Sequence, residues 1–280
     1  MSFDFNKSSA ANVALRRLSS HEDYRACLAL QKETWGDTFA ECVPPSLLIV
    51  SQKIGGVAAG AFDEDGTLLG FVFGLTGMKD GRLVHWSDML AVRPAFRDLG
   101  LGRKLKQYQQ QLVREIGVEV IYWTYDPLVA RNAHLNLNRL GARVTEYVPD
   151  MYASDTPGEL YRGLSLDRFI VAWEVSQEPP VEEAQLTLAT RERFAAVLIV
   201  NENAALVTKP GDLPLASAVR VEVPFDIQTV KASDLERAMA WRATTRTAFL
   251  FYQERGYRVE GFYREAESGR CFYGLAARAS

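Results

Sequence analysis

The stretch HWSDMLAVRPAFRDLGLGRKL, His85 to Leu105, decides how the chain is read. With Leu83 and Val84 ahead of it, its first half runs apolar to Val92 and stops at Pro94. Proline has no N–H to give a sheet ladder, so this half predicts a strand. The second half continues into Leu101, Leu105, Tyr108, Leu112 and Ile116, spaced by three and four, which predicts an amphipathic helix. Between them lies Arg97-x-x-Gly100-x-Gly102. Glycine admits backbone angles closed to other residues and lets a ligand come close to the main chain. The first amides of the helix that follows have no intrahelical acceptor and stand at the positive end of its dipole. Such an end is a ready phosphate site, and Arg103 and Lys104 add positive charge beside it.

Arg97, Gly100 and Gly102, placed behind a strand with Val92 and Pro94, resemble the acetyl-CoA-binding motif of the GNAT acetyltransferases. The stretch is no Walker loop, because no Gly-Lys-Ser/Thr follows, and no dinucleotide fingerprint, because the third glycine is absent. The resemblance covers about residues 13–175. It implies an α/β (α+β) fold with a mixed central sheet flanked by helices, and acetyl-CoA as co-substrate. It further implies that main-chain groups of Leu90, Ala91 and Val92 grip the pantetheine arm. Arg97, Asp98, Leu99, Gly100, Leu101, Gly102 and Arg103 would then surround the phosphates. Asn132 matches an asparagine that the family often carries near the cofactor's arm. One position departs from the pattern. Many members place a tyrosine four residues before the glycine that ends this helix, as acid to the leaving thiolate, and here Leu137 stands there. Tyr147, Tyr152 and Tyr161 follow, and Tyr152 is taken as the candidate acid.

Composition sets the outer limits. The chain has 280 residues, 48% hydrophobic and 24% charged, as in a globular protein of one or two domains. A net charge of −3 gives no sign of a nucleic-acid partner. Cys27, Cys42 and Cys271 lie far apart without metal-ligand spacing, so no metal is expected and the thiols read as reduced, in a cytoplasmic protein. The N-terminal residues lack the apolar core of a signal peptide, and no apolar run reaches the length of a membrane span.

In chain order, residues 13–18 read as a strand, and Ser20-x-x-Asp23 as a capping box opening a helix. Pro44-Pro45 begins a second helix, and residues 57–62 and 68–75 form a hairpin around Asp63 to Gly66. After the central stretch come a buried strand at 118–125, a helix starting at Asp126-Pro127 and stopped by Gly141, and strands at 144–148 and 168–175. A polar, proline-bearing break at Ser176 to Pro180 sets the expected boundary between domains 1–178 and 179–280. Beyond it, strands or hairpins are expected at 194–207, 219–223 and 259–275, with a helix opened by Ser233-x-x-Glu236 and ended at Gly256. Phe251 to Tyr257 looks like the helix end in the second half of a GNAT domain. The tail is therefore either a degenerate second copy or a plain α+β accessory domain.

Transfer of an acetyl group to an amine needs a polarised thioester, a neutral amine and a proton for the leaving thiolate. Asp88, a carboxylate in an otherwise apolar strand, is the first candidate for general base. By strict alternation His85 would point to the opposite face. Asp126 is a second candidate, with a competing reading as a helix cap before Pro127. Asn132, Asn136 and Asn138 could equally form a solvated helix face. The expected activity is acetyl transfer to an amine on a small molecule or peptide, by direct attack. No membrane partner is expected, and a homodimer stays open. The alternative is a degenerate fold that binds CoA or a partner without catalysis.

Overall fold

A computed structural model describes residues 13–97, 99–152, 163–177 and 183–278, with the side chains of 183–186 outside the description. Two compact units divide between Ile121 and Tyr122. This division falls inside a strand, well before the break expected at 178/179.

In the first unit, β1 (Ala14–Arg17) leads into α1 (His21–Trp35), α2 (Pro45–Lys53), β2 (Val57–Phe62), β3 (Leu68–Lys79) and β4 (Arg82–Val92). The strands lie in the order β1-β2-β3-β4, each antiparallel to the next. The capping box at Ser20 forms as read: its hydroxyl accepts from Asp23 N–H, and the Asp23 side chain reaches back to the cap. Asp23 also takes Arg16 at 2.6 Å, which holds its carboxyl well below the usual range. Strands β3 and β4 run further than expected because Asp80 and Gly81, at φ 51° and 75°, make a tight turn between them. Helix α3 (Leu101–Arg114) buries Leu101, Leu105, Leu112 and Val113. It stops before Ile116, which is exposed, and Gly117 follows at φ 82°. The apolar core under α1 and α2 joins Tyr24, Cys27, Leu30 and Leu48 to Phe71, Phe73, Met89 and Ala91.

Strand β5 (Val120–Tyr125) carries the chain into the second unit. There Asp126-Pro127 does not start a helix. It makes a turn in which Asp126 Oδ1 accepts from Leu128 N–H at 2.9 Å, and α4 begins only at Ala130. Over His134–Arg139 the helix widens to π geometry, and it ends before Gly141 at φ 71°. Asn136 and Asn138 are buried, correcting the solvated-face reading: Asn136 Oδ1 accepts from Trp123 Nε1 at 3.1 Å, and Asn138 Nδ2 donates to Phe262 O at 3.0 Å. Strands β6 (Arg143–Val148) and β7 (Arg168–Glu174) form an antiparallel pair, with β7 beside β5.

The tail opens with a helix that was not expected, α5 (Glu183–Phe194), whose last residue was read as the start of a strand. Then come β8 (Ile199–Glu202), β9 (Ala205–Leu206), β10 (Ala218–Val223), α6 (Ile227–Ser233), α7 (Leu235–Glu254), β11 (Arg258–Arg264) and β12 (Cys271–Ala276). Helix α7 is capped by Asp234, not Ser233, whose hydroxyl bonds back to the end of α6. The tail sheet runs β11-β12-β10-β8-β9, with β8 and β10 parallel. Helix α5 comes close because two strand positions opposite it lack a Cβ: one at Gly261 would meet Thr190 at 2.7 Å, and one at Gly274 the Phe194 ring at 2.5 Å. One topology occurs twice in this unit. A strand, helix and antiparallel pair with the order β5-β7-β6 recur as β10, α6–α7, β11 and β12 with the order β10-β12-β11.

Candidate active site

The loop before α3 is built by one residue's backbone. Gly100 is the N-cap of α3 at φ 77°, ψ 4°, a left-handed conformation that only glycine adopts freely. A Cβ there would meet nothing within 4 Å, so the glycine is required by its angles and its outer side is open. The first helical bond runs from Lys104 N–H to Gly100 O at 3.1 Å. The amides of Leu101, Gly102 and Arg103 therefore precede the ladder and face outward. Arg103 Nε is buried with no acceptor among the described residues. The exposed Arg97 curls back, donating from Nε to Val92 O at 3.2 Å, so it closes the turn onto the end of β4. Leu99 is exposed and Leu101 buried, while Asp98 lies outside the described residues. Outward amides, an orphan guanidinium nitrogen and a helix dipole make this end of the unit attractive to a phosphate.

Strand β4 carries Leu90, Ala91 and Val92 toward that loop and holds Asp88 behind them. Phe73 of β3 faces Met89 and Gly74 faces Ser87, so Asp88 is the extra residue of a β-bulge. The bulge turns the buried side chains over. Before it, His85 bonds to Gln109 of α3; after it, Met89 and Ala91 join the core under α1 and α2. Strict alternation, which placed His85 and Asp88 on opposite faces, therefore does not hold across this point. Asp88 is solvent-exposed, with no ion pair among the described residues. Desolvation by the surrounding protein, then the like charge of Glu41, hold its carboxyl above the usual range. That poise suits a group that takes a proton near neutrality. His85 is fully buried, its pKa pushed down to about 3 by burial and by Lys106 and Arg17, so it is a neutral structural ring.

In the second unit, Asp126 is no free base. Its Oδ2 lies 2.6 Å from Arg242 Nη2 of α7 and 4.0 Å from Arg168 Nη1 of β7, and all three side chains are buried. Arg168 also stands over the Tyr152 ring at 5.5 Å, and the Tyr152 hydroxyl is 3.3 Å from Thr124 Oγ1. Arg168 thus ties Asp126 to Tyr152. Asn132 sits half-buried in the first turn of α4. Of the other tyrosines, Tyr147 donates to Asp167 and Tyr252 to Pro214 O at 2.7 Å, and burial raises both phenols. Neither is poised to give up a proton, and Tyr161 lies outside the described residues. Leu137 packs inward at the position where a tyrosine was sought. Trp123 and Trp173 meet edge-on at 6.1 Å in the core. The arginines were missed by the motif reading, yet one signal was present: Arg242 interrupts the inward stripe Ala238, Trp241, Thr245, Ala248, Phe249 and Tyr252 of α7.

A strand, a glycine-opened helix end and a carboxylate on a bulge define an α/β domain suited to a phosphate-bearing reactant. Residues 22–141 match the sequence model of the Acetyltransferase (GNAT) family. The chain is similar to the ribosomal-protein-S18-alanine N-acetyltransferase of Escherichia coli, at 17% identity over 59% of this chain and 96% of that one, with a TM-score of 0.44. It is similar to yncA of Salmonella typhimurium, solved with its cofactor acetyl-CoA, at 20% identity over 60% and 96% of the two chains, with a TM-score of 0.47. An N-acetyltransferase from Staphylococcus aureus Mu50 matches at 16% identity over 59% and 100%, with a TM-score of 0.47. No curated protein matches the chain. No helix among the described residues is long and apolar enough to cross a membrane.

Proposed function

We propose that the chain moves an acetyl group from acetyl-CoA to the amine of a small molecule or peptide by direct attack. The observation that carries this is Gly100, whose left-handed backbone opens α3 with outward amides beside the orphan Arg103 Nε, inside the matched GNAT domain. Those donors would take the pyrophosphate of CoA, and the main chain of Leu90, Ala91 and Val92 its pantetheine arm. The amine nitrogen attacks the thioester carbonyl, an N–C bond forms and the C–S bond breaks. Asp88 takes the ammonium proton, and Tyr152 is the candidate donor to the departing thiolate. A thiol nucleophile is disfavoured, because burial pushes Cys27 up to about 12 and Cys271 up to about 11. The recurrence of the strand order in the tail supports reading residues 179–280 as a degenerate second GNAT-like half. The three cysteines are free thiols, which fits a reducing compartment such as the cytoplasm. Thiol release from acetyl-CoA with a panel of amines tests the proposal. Amine-dependent release supports it, and CoA binding without release for any amine would favour the non-catalytic alternative.

A further inference from the structure

We propose that the tail holds a site for a free amino acid with an apolar side chain, in a cavity past the ends of β8 and β10. The site uses none of the residues assigned to acetyl transfer and does not depend on that activity. The cavity measures about 340 Å³. Ligand sites run from roughly 300 to 1,000 Å³, so this one is sized for a small metabolite. Strands β8 and β10 are parallel, and the space beyond the carboxyl ends of parallel strands is where α/β sheets hold ligands. Val223, Val230 and Trp241 line it, together with Phe225, an aromatic ring left 60% exposed.

Trp241 is 4% exposed, yet its indole N–H has no acceptor among the described residues. A buried indole usually finds one, so this donor is left for a ligand. Two guanidiniums line the cavity with it, each held along one edge and open along the other. Arg270 gives Nε and Nη2 to Glu222 at 3.0 and 2.5 Å, and Nη2 also to Glu202 at 3.1 Å, which leaves Nη1. Arg237 gives Nη2 to Asn203 Oδ1 and keeps Nε and Nη1. Side chains fixed before a ligand arrives lose little freedom on binding it. Of the carboxylates, Glu222 is filled: Arg270 takes both oxygens, and Asn203 N–H shares the second. Asp234 accepts from Arg237 N–H on Oδ1 as the cap of α7, and its Oδ2 is open.

Charge narrows the class of ligand. Glu222, Asp234, Arg237 and Arg270 line the cavity, two of each sign. Glu202 on Arg270, and Arg264 at 4.2 Å from the Phe225 ring centroid, add one of each around them. The carboxylates beyond, Asp226 and Glu265, are engaged by the cap of α6 and by Arg220. A lining without net charge, with open donors and an open carboxylate oxygen, suits a zwitterion. The α-carboxylate meets the arginine and indole donors, the ammonium meets Asp234, and the side chain lies on Val223, Phe225 and Val230. A phosphate group would bring roughly −1.5 to −2 of charge that nothing here balances.

The test titrates the full chain calorimetrically with valine, leucine, methionine and phenylalanine. Each is run beside its carboxamide, which lacks the carboxylate, and its desamino acid, which lacks the ammonium, with inorganic phosphate alongside. At least one amino acid should bind with a Kd below about 1 mM, and about tenfold tighter than both of its analogues. Arg237→Gln and Asp234→Asn should each weaken that binding about tenfold. Both side chains are exposed, and asparagine caps a helix as well as aspartate does, so both variants should fold. Trp241→Phe keeps an aromatic ring in place, removes the N–H and should weaken binding several-fold. No amino acid bound, an analogue that binds as well as its parent, or phosphate bound tighter than every amino acid would overturn the proposal. Affinity unchanged in Arg237→Gln or Asp234→Asn would place the amino acid elsewhere on the chain, an acetyl-acceptor site included, and would overturn it too.

Discussion

Gln109 Nε2 lies 3.0 Å from His85 Nε2, while Thr76 Oγ1 lies 2.9 Å from His85 Nδ1. The Thr76 hydroxyl donates to Gly55 O at 2.7 Å, so it must accept from His85 Nδ1–H, and Nε2 must accept from Gln109. The ring is thereby held neutral in one tautomer. It pins β4, which carries Asp88, to α3, which opens at Gly100. Lys106, fully buried and pushed well below its usual range by desolvation, completes the line by donating to Gln109 Oε1 at 3.3 Å.

The buried ring makes stability depend on pH. Its folded pKa of about 3 lies below the unfolded value of 6.5, so the unfolded chain takes the proton first. The stabilisation is fully present above pH 6.5 and is lost as pH falls toward 3. Urea unfolding between pH 7 and 4 should show wild type losing on the order of 3 kcal/mol more than His85→Asn. Parallel losses in the two proteins would mean that His85 does not titrate this way.

Gly74 leaves the room that this ring occupies. A Cβ there would collide with His85 Nε2 and with the Trp86 carbonyl oxygen at 2.5 Å. Gly74→Ala should therefore cost about 2–3 kcal/mol, as overpacking of a rigid core does. A change within about 0.5 kcal/mol in denaturant unfolding would show that the strands give way easily.

Asp88→Asn should leave CoA affinity intact and lower kcat at neutral pH by roughly a hundredfold, the low end of what a positioned base contributes. The deficit should shrink at high pH, where the amine deprotonates unaided. Glu41 raises the Asp88 pKa by its like charge. Glu41→Gln should therefore move the acid limb of the kcat/KM profile to lower pH. A limb that stays put or moves up would detach Asp88 from the reaction.

A chain ended at Ser176 should not fold its second unit. The tail supplies Arg242 to Asp126, Phe262 O to Asn138, and Gln253 to both main-chain groups of Tyr147, and Tyr273 donates to Pro127 O at 2.9 Å. Removing these strands several buried polar groups at once. A soluble, cooperatively melting truncated protein would show that the tail is an appendage.

The parts that could be read in the sequence were those written locally. Ser20 and Asp23 cap α1 through their own side chains, and the glycines at 100 and 102 sit beside a proline-ended strand, so spacing alone exposed them. The bulge at Asp88 is set by pairing with β3 and leaves no mark in its own strand's alternation. Helix α5 was missed because its packing depends on two distant glycines, Gly261 and Gly274. The pair Asp126 and Arg242 is separated by 116 residues, and no local rule joins them. Asp126 looked like a cap because Pro127 follows it, and it does bond the next turn, but its second oxygen is claimed from afar.

The central claim is that the loop opened by Gly100 receives CoA. Its most direct test is calorimetric titration of CoA into wild type and Gly100→Val. Valine at φ 77° is strained by about 1–2 kcal/mol but clashes with no protein atom within 4 Å, so the variant should stay folded. Saturable CoA binding to wild type that falls at least about a hundredfold in the folded variant is the expected result. No binding to wild type, or equal affinity in a folded Gly100→Val protein, would contradict the account.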